Sequence, residues 1–196
     1  MIIGFLGRKR SGKDTAASFI IENYNFTRYA FGDPVKDVCR AMFGFTEEQL
    51  YGDQKETVDP EWNITPRQAF QTLGTDIAQY GIYNYIPELK ESVPERTFWV
   101  KRFEKWYYNE LSVERICGPL KVVLSDVRFQ HEVDAIKRLN GTIIKIERDS
   151  DIEDSHTSEN EIDLITNIDY TIQNNESIEE FNEKLHKVVI DVYQKL

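Results

Sequence analysis

The fold of this chain is decided by residues 2–15, which read IIGFLGRKRSGKDT. The apolar run at residues 2–6 predicts a buried strand, and a helical pattern follows the glycines. Gly7, Gly12 and Lys13 meet the spacing G-x-x-x-x-G-K in the strand, loop and helix context that a phosphate-binding loop requires. The backbone N–H groups of such a loop, with the positive end of the helix behind it, hold a polyphosphate. The sequence therefore predicts a phosphate site near the N-terminus.

This loop departs from the usual pattern at one position and is strongly basic. Where a Ser or Thr that contacts Mg²⁺ normally follows the lysine, the chain has Asp14, with Thr15 one place later. Residues 8–13 carry three more cations besides the lysine, although the net charge of the whole chain is −10. The local charge favours a small phosphorylated ligand, and the overall charge argues against a polymeric nucleic acid as partner.

Composition indicates a globular protein without a membrane partner. Of the 196 residues, 40% are hydrophobic, and no run approaches the ~18 apolar residues of a membrane span. The N-terminus lacks the layout of a signal peptide, and the two cysteines have no metal or redox spacing. We therefore expect a cytoplasmic protein without a zinc site.

Strands and helices alternate along the chain, which predicts an α/β fold. We expect a five-stranded parallel sheet with helices on both faces. The predicted strands are residues 2–6, 26–29, 120–124, 142–147 and 170–172. Ligands of such sheets bind beyond the carboxyl ends of the strands. The glycine loop, Asp33 and Asp126 follow the first three predicted strands and are therefore candidates for the site.

Two of these candidates have equally ordinary structural explanations. Asp126 stands where phosphate-loop proteins place a carboxylate near Mg²⁺, but it could equally be a turn or cap residue. Arg128 could stabilise a transferring phosphoryl group or be an exposed arginine at the start of a helix.

Helix signals complete the local predictions. Asp33 and Pro34 predict a helix start with Asp33 as the N-cap, and Gly44 predicts the end of that helix. Thr65 begins a capping box for another helix, which we expect Gly74 to interrupt.

The motifs, taken together, resemble the deoxynucleoside monophosphate kinases of bacteriophages and large viruses. They follow in the order of that family as GRKRSGKDT at 7–15, FGDPVK at 31–36, RQAFQTLGTD at 67–76, WVK at 99–101, DVR at 126–128, HE at 131–132, HTSE at 156–159, IQN at 172–174 and SIEE at 177–180. The resemblance covers nearly the whole chain except residues 44–64. It also accounts for Asp14, because the loop of the family ends in the same way.

The resemblance implies a P-loop kinase fold in a single domain at residues 1–196. Its core would comprise residues 1–43 and 120–196, with a helical substrate-binding insertion at about 44–118. Residues 149–168 are acidic and lack a clear period, which indicates a mobile segment or a lid. A viral kinase of this kind would act in the host cytoplasm, and a homodimer is compatible with the family.

The resemblance also implies two sets of binding residues. ATP and Mg²⁺ would be held by the end of the glycine loop, namely Arg10, Ser11, Gly12, Lys13, Asp14 and Thr15. The candidate Mg²⁺ ligands are Asp14, Thr15 and Asp126, and the candidate catalytic cations are Lys13, Arg10 and Arg128. The deoxynucleoside monophosphate (dNMP) would contact Lys9, Val35, Lys36, Arg67, Gln71, Gly74, Thr75, Trp99, Arg128 and Glu132.

The expected reaction is ATP + dNMP = ADP + dNDP, which supplies DNA synthesis. Two alternatives stay open at the level of sequence. The acceptor could be another phosphorylated metabolite, as in phosphomevalonate kinases, which share the Lys-Asp loop. The chain could instead be a non-catalytic module that senses ATP.

Overall fold

The computed structural model of the protein describes residues 1–117, 119–149 and 162–195. It contains five strands: β1 Ile2–Leu6, β2 Thr27–Tyr29, β3 Val122–Val127, β4 Thr142–Glu147 and β5 Tyr170–Gln173. These strands form one sheet in the order β2-β3-β1-β4-β5, and every neighbouring pair is parallel. The predicted α/β fold with a five-stranded parallel sheet is thereby confirmed.

Helices connect the strands and account for most of the chain between β2 and β3. The α-helices are α1 Lys13–Tyr24, α2 Asp33–Phe43, α3 Glu47–Leu50, α4 Pro66–Gln71, α5 Phe98–Cys117, α6 Gln130–Arg138 and α7 Ile178–Gln194. A π-helix spans Thr72–Tyr80, and 3₁₀ turns span Asp53–Glu56, Gly81–Asn84, Pro87–Glu91 and Ile162–Leu164. Among the described residues, none of these helices is both long and apolar enough to cross a membrane.

The chain divides into two compact units. The sheet unit comprises residues 1–30 and 106–196, and the helical unit comprises residues 31–105. The helical unit begins just before α2 and ends within α5. The expected limits of a substrate-binding insertion at about 44–118 stay a prediction. That the two units form one kinase domain stays a prediction.

The sheet unit has apolar layers on both faces of its strands. Every residue of β1 is buried, as expected for a central parallel strand covered on both sides. On one face, Phe5 and Ile144 pack with Ile20 of α1 and Phe181 of α7. On the other face, a Cβ at Gly4 would lie 2.9 Å from Ile136 Cδ1, so α6 packs directly on the strand backbone. These layers hold the carboxyl ends of the strands in a fixed arrangement.

The helical unit has its own apolar cluster. Its buried members are Val35 and Cys39 of α2, Phe45, Leu50 of α3 and Ala69 of α4. Val38 and Met42, which share a helical face with these α2 residues in the sequence, are 40% and 55% exposed. The buried stripe of α2 is therefore narrow.

Two helix predictions were wrong. Gly32, not Asp33, is the N-cap residue of α2, and the Asp33 carboxylate instead accepts a hydrogen bond from Lys36 Nζ at 3.3 Å. Gly74 does not interrupt its helix, because the chain continues through it as the π-helix. A Cβ at Gly74 would lie 3.1 Å from Val35 Cγ1, so glycine is needed there for close packing.

Candidate active site

The glycine loop between β1 and α1 adopts a conformation that depends on its two glycines. A Cβ at Gly7 would lie 2.4 Å from the carbonyl oxygen of Ile146. Gly12 has a φ of 109°, and a Cβ there would lie 2.4 Å from Asn174 Nδ2. Arg10 also has a positive φ, of 65°, which turns the loop sharply. A side chain at Gly7 would collide with the backbone of β4, and one at Gly12 would be strained by the positive φ and would collide with the Asn174 amide.

Lys13 lies at the start of α1 and points back into the loop. It is only 8% exposed, and its Nζ donates hydrogen bonds to the carbonyl oxygens of Gly7 at 2.6 Å and Arg8 at 2.7 Å. The ammonium group therefore lies at the loop itself, beside the positive end of the α1 dipole. This arrangement concentrates positive charge where a phosphate chain would bind.

Ser11 and Asn174 join the loop to the far edge of the sheet. Asn174 directly follows β5, and its Nδ2 donates a hydrogen bond to the carbonyl oxygen of Ser11 at 2.7 Å. Ser11 is 3% exposed, and its Oγ has no hydrogen-bond partner among the described residues. The loop is thus held from both sides, by Lys13 and by Asn174.

A cleft of about 330 Å³ opens beside the loop. Five of the six residues expected to bind ATP line it: Arg10, Gly12, Lys13, Asp14 and Thr15. The remaining wall comes from residues that the sequence did not single out as site residues: Arg148, Asn174, Glu176 and Ile178. Arg148 directly follows β4 and Asn174 directly follows β5, so their position at the carboxyl ends of strands was the available signal.

Asp126, Arg128 and Glu132 lie at the junction of β3 and α6. β3 continues to Val127, so Asp126 lies within the strand and does not follow it as predicted. Glu132 is 5% exposed, and its Oε2 accepts hydrogen bonds from the backbone N–H groups of Arg128 at 2.7 Å and Phe129 at 3.1 Å. The carboxyl group of Glu132 thus fixes the backbone of Arg128 at the start of α6.

The buried carboxyl group of Glu132 also has an altered pKa. The pKa of Glu132 is raised to about 8, chiefly by burial and also by the nearby negative charge of Asp126. The two backbone hydrogen bonds and the charge of Arg128 act in the opposite direction and do not offset burial. Near neutral pH, Glu132 therefore carries its proton in most molecules.

In the helical unit, three of the expected acceptor residues meet at the π-helix. Trp99 Nε1 donates a hydrogen bond to the carbonyl oxygen of Gly74 at 2.7 Å, and Gly74 packs against Val35. The indole also meets Phe98 edge to face, with the ring centroids 5.0 Å apart. Thr75 and Gln71 are exposed nearby along the same helical segment. A π-helix is uncommon and is frequently found at functional sites.

The two expected acceptor cations of the helical unit have carboxylate neighbours. Lys36 Nζ lies 3.3 Å from Asp33 Oδ1 and 4.0 Å from the centroid of the Tyr51 ring. Arg67 Nε lies 3.0 Å from Glu56 Oε1, and the Arg67 side chain is 41% exposed. An exposed pair of this kind is weak, so a phosphate group can replace the carboxylate at little cost. Lys9, the remaining acceptor cation of the loop, is exposed in the sheet unit.

The side chains expected to bind Mg²⁺ carry the oxygen ligands that this ion prefers. Asp14 and Thr15 are exposed, lie side by side and line the cleft next to Lys13. Mg²⁺ prefers oxygen ligands and is usually held by one or two carboxylates together with substrate phosphates and waters. The described residues contain no group of three or more His, Cys, Asp or Glu side chains placed to hold a metal, and such a group is not needed for this mode of binding.

His156 and Glu159, with most of the expected lid, lie outside the described residues.

Comparisons with known proteins agree in pointing to kinases. A family model described as deoxynucleotide monophosphate kinase matches residues 1–63 and 45–185. A protein of Acanthamoeba polyphaga mimivirus named "Putative deoxynucleotide monophosphate kinase" is 38% identical over 99% of this chain and 98% of its own length. The deoxynucleotide monophosphate kinase of Enterobacteria phage T4 is 25% identical over 94% of this chain and 96% of its own length. The solved structure of dephospho-CoA kinase from Campylobacter jejuni is similar in fold, with a TM-score of 0.53, 13% identity and coverage of 99% and 98%.

Proposed function

The chain belongs to the deoxynucleotide monophosphate kinase family and is a nucleotide kinase, and on this premise we propose that it transfers the γ-phosphoryl group of ATP to a deoxynucleoside monophosphate. The products are ADP and the deoxynucleoside diphosphate, a precursor for DNA synthesis. The observation that carries the proposal is the buried ammonium group of Lys13, held in the glycine loop beside the cleft.

The acceptor needs no general base. The second pKa of a nucleoside monophosphate is about 6, so its phosphate is largely a dianion near neutral pH and is already a competent nucleophile. The barrier comes from bringing two anions together and holding them in line. Catalysis is therefore positioning combined with screening of negative charge.

The ATP side of the reaction is assigned to the glycine loop. Lys13 and Arg10 face the phosphate chain, and the backbone N–H groups of the loop hold its oxygens. Asp14 and Thr15, with Asp126 as a further candidate, would hold Mg²⁺, which supplies additional screening of the phosphate charge. Arg128, whose backbone is fixed by Glu132, is the third cation for the transferring group.

The acceptor side is assigned to cations and to an apolar wall. Lys36 and Arg67 bind the phosphate of the dNMP, in exchange for the carboxylates that they contact in the structure. The indole of Trp99 forms a wall for the base, because its N–H is already bound to Gly74 and leaves the ring face for stacking. Val35, Gln71 and Thr75 complete this side within the helical unit. For Lys9, Arg128 and Glu132 of the sheet unit, contact with the dNMP stays a prediction.

One assay tests this function against its alternatives. The purified protein is given ATP, Mg²⁺ and each dNMP in turn, and the formation of ADP and dNDP is followed. Transfer to at least one dNMP supports the proposal, and failure to transfer to any of them refutes it. Transfer only to a phosphorylated compound that is not a nucleotide would identify a metabolite kinase. ATP binding without any transfer would identify a sensing module.

A further inference from the structure

We propose that Asn174 is a positioning residue for ATP, and that it acts by fixing the direction of the peptide group between Ser11 and Gly12. The inference rests on the proposed use of the glycine loop as the ATP site. Its basis is the hydrogen bond from Asn174 Nδ2 to the Ser11 carbonyl oxygen, 2.7 Å long, between residues 163 positions apart in the chain.

This hydrogen bond determines where an N–H group of the loop points. A trans peptide group is planar, and its C=O and N–H point in opposite directions. Because the Ser11 carbonyl is turned toward Asn174, the N–H of Gly12 is turned away from it. A phosphate loop works by presenting N–H groups to the ligand, and a peptide turned over by half a rotation would present a carbonyl oxygen and repel the phosphate.

The peptide group at this position is able to turn over, so it needs to be held. Rotating it changes the ψ of Ser11 and the φ of Gly12, and glycine populates positive and negative φ about equally. The carbonyls of Gly7 and Arg8 accept hydrogen bonds from Lys13 Nζ, and that of Gly12 accepts from the backbone N–H of Ala16. Asn174 provides the corresponding restraint for Ser11.

Asn174 is itself well anchored for this role. It directly follows β5, and its backbone N–H donates to the carbonyl oxygen of Glu147 at 2.8 Å, which continues the pairing of β4 with β5. The lack of a side chain at Gly12 gives the amide its space, since a Cβ there would lie 2.4 Å from Nδ2. The absence of a side chain at Gly12 therefore allows Asn174 to reach the Ser11 carbonyl.

The test compares Asn174→Ala with Asn175→Ala. Asn175 is a matched control because its side chain bonds only Asp149 among the contacts described, donating to Oδ2 at 2.7 Å and accepting from the backbone N–H at 2.8 Å. For Asn174→Ala we expect KM for ATP to rise about tenfold, corresponding to about 1.4 kcal/mol. The equilibrium Kd for the dNMP in the absence of ATP should be unchanged, and Asn175→Ala should behave like the wild type.

A competition experiment separates the peptide-directing role from a contact with the base, because Asn174 also lines the cleft. Inorganic tripolyphosphate carries the phosphates without a base, so its inhibition constant against ATP should rise by the same factor as KM. If the variant binds ATP more weakly but binds tripolyphosphate as well as the wild type does, Asn174 contacts the base of ATP and the proposal is overturned. Equal weakening of ATP and dNMP binding would show a merely structural role and would also overturn it.

A second variant keeps the test valid if the alanine variant does not fold. In Asn174→Asp the side chain has nearly the same shape but places an acceptor opposite the Ser11 carbonyl. This variant should therefore weaken the binding of ATP and of tripolyphosphate at least as much as Asn174→Ala does. Wild-type kinetics in both Asn174 variants would refute this inference while leaving the proposed function intact. Absence of any dNMP transfer by the wild type would instead refute the proposed function.

Discussion

Substituting Gly74 by alanine tests both the packing of the helical unit and the acceptor assignment. The added Cβ would lie 3.1 Å and 3.2 Å from the two γ-carbons of Val35. Val35 is 7% exposed and β-branched, so it has little freedom to move aside. Glycine to alanine within a helix ordinarily stabilises by about 1 kcal/mol, whereas overpacking costs about 1–3 kcal/mol. We therefore expect Gly74→Ala to lower the free energy of unfolding by about 0–2 kcal/mol.

The substitution Val35→Ala tests whether the effect of Gly74→Ala comes from contact with the Val35 side chain. It removes the γ-carbons that the new methyl group would meet, so the double variant should be more stable than the sum of the single variants predicts. We expect a coupling energy of about 1 kcal/mol or more, measured by urea unfolding of the four proteins of the cycle. Additivity within about 0.5 kcal/mol would show that Gly74 and Val35 do not pack as described. In the same proteins, KM for dNMP should rise in Gly74→Ala while KM for ATP stays unchanged, and a rise confined to ATP would refute the acceptor assignment.

Three further substitutions address single interactions. Lys13→Met should lower kcat by about 10²-fold or more with the protein still folded, as judged by circular dichroism, and a near-normal kcat would contradict the role of the loop. Trp99→Phe leaves the Gly74 carbonyl without its donor; it should cost about 1 kcal/mol in urea unfolding and raise KM for dNMP but not for ATP. Glu132→Gln keeps an acceptor for both backbone N–H groups but cannot ionise. Because the folded pKa of Glu132 is raised to about 8 from its ordinary value of 4.5, its contribution to stability is present below pH 4.5 and is lost as the pH rises to 8. The free energy of unfolding of the wild type, relative to that of Glu132→Gln, should therefore fall between pH 5 and pH 8. A difference that does not change with pH would show that the pKa of Glu132 is not raised by burial.

The strands and the glycine loop were predictable because their signals are local. β1 has no polar residue, β3 begins with three apolar residues and β4 contains three isoleucines, as expected of parallel strands covered on both faces. The end of β3 was misplaced because a polar pair, Ser125 and Asp126, resembles the end of a strand. In the structure the pairing of β1 with β3 shifts register between Gly4 and Leu6, and the strand continues to Val127.

The remaining features depend on contacts between distant parts of the sequence. Gly74 reads as a helix breaker until Val35 is known to lie against it. The hydrogen bond from Asn174 to Ser11 cannot be predicted from the sequence around either residue, since an asparagine after a strand is an ordinary turn residue. Glu132 was predicted to contact the acceptor, a role that stays a prediction. Its hydrogen bonds to the backbone of Arg128 and Phe129 were not predictable, because Phe129 is not one of the residue types that mark a capping box.

The order of the strands has a consequence for synthesis on the ribosome. β1 emerges first but occupies the centre of the sheet, and its partners begin only at Val122 and Thr142. At ~5–20 residues per second, β1 waits on the order of 10 s before β3 is made, with both of its edges unpaired. Pairing over such a long stretch of chain is intrinsically slow, and unpaired apolar edges invite aggregation. We expect nascent chains that end before residue 122 to need chaperone protection.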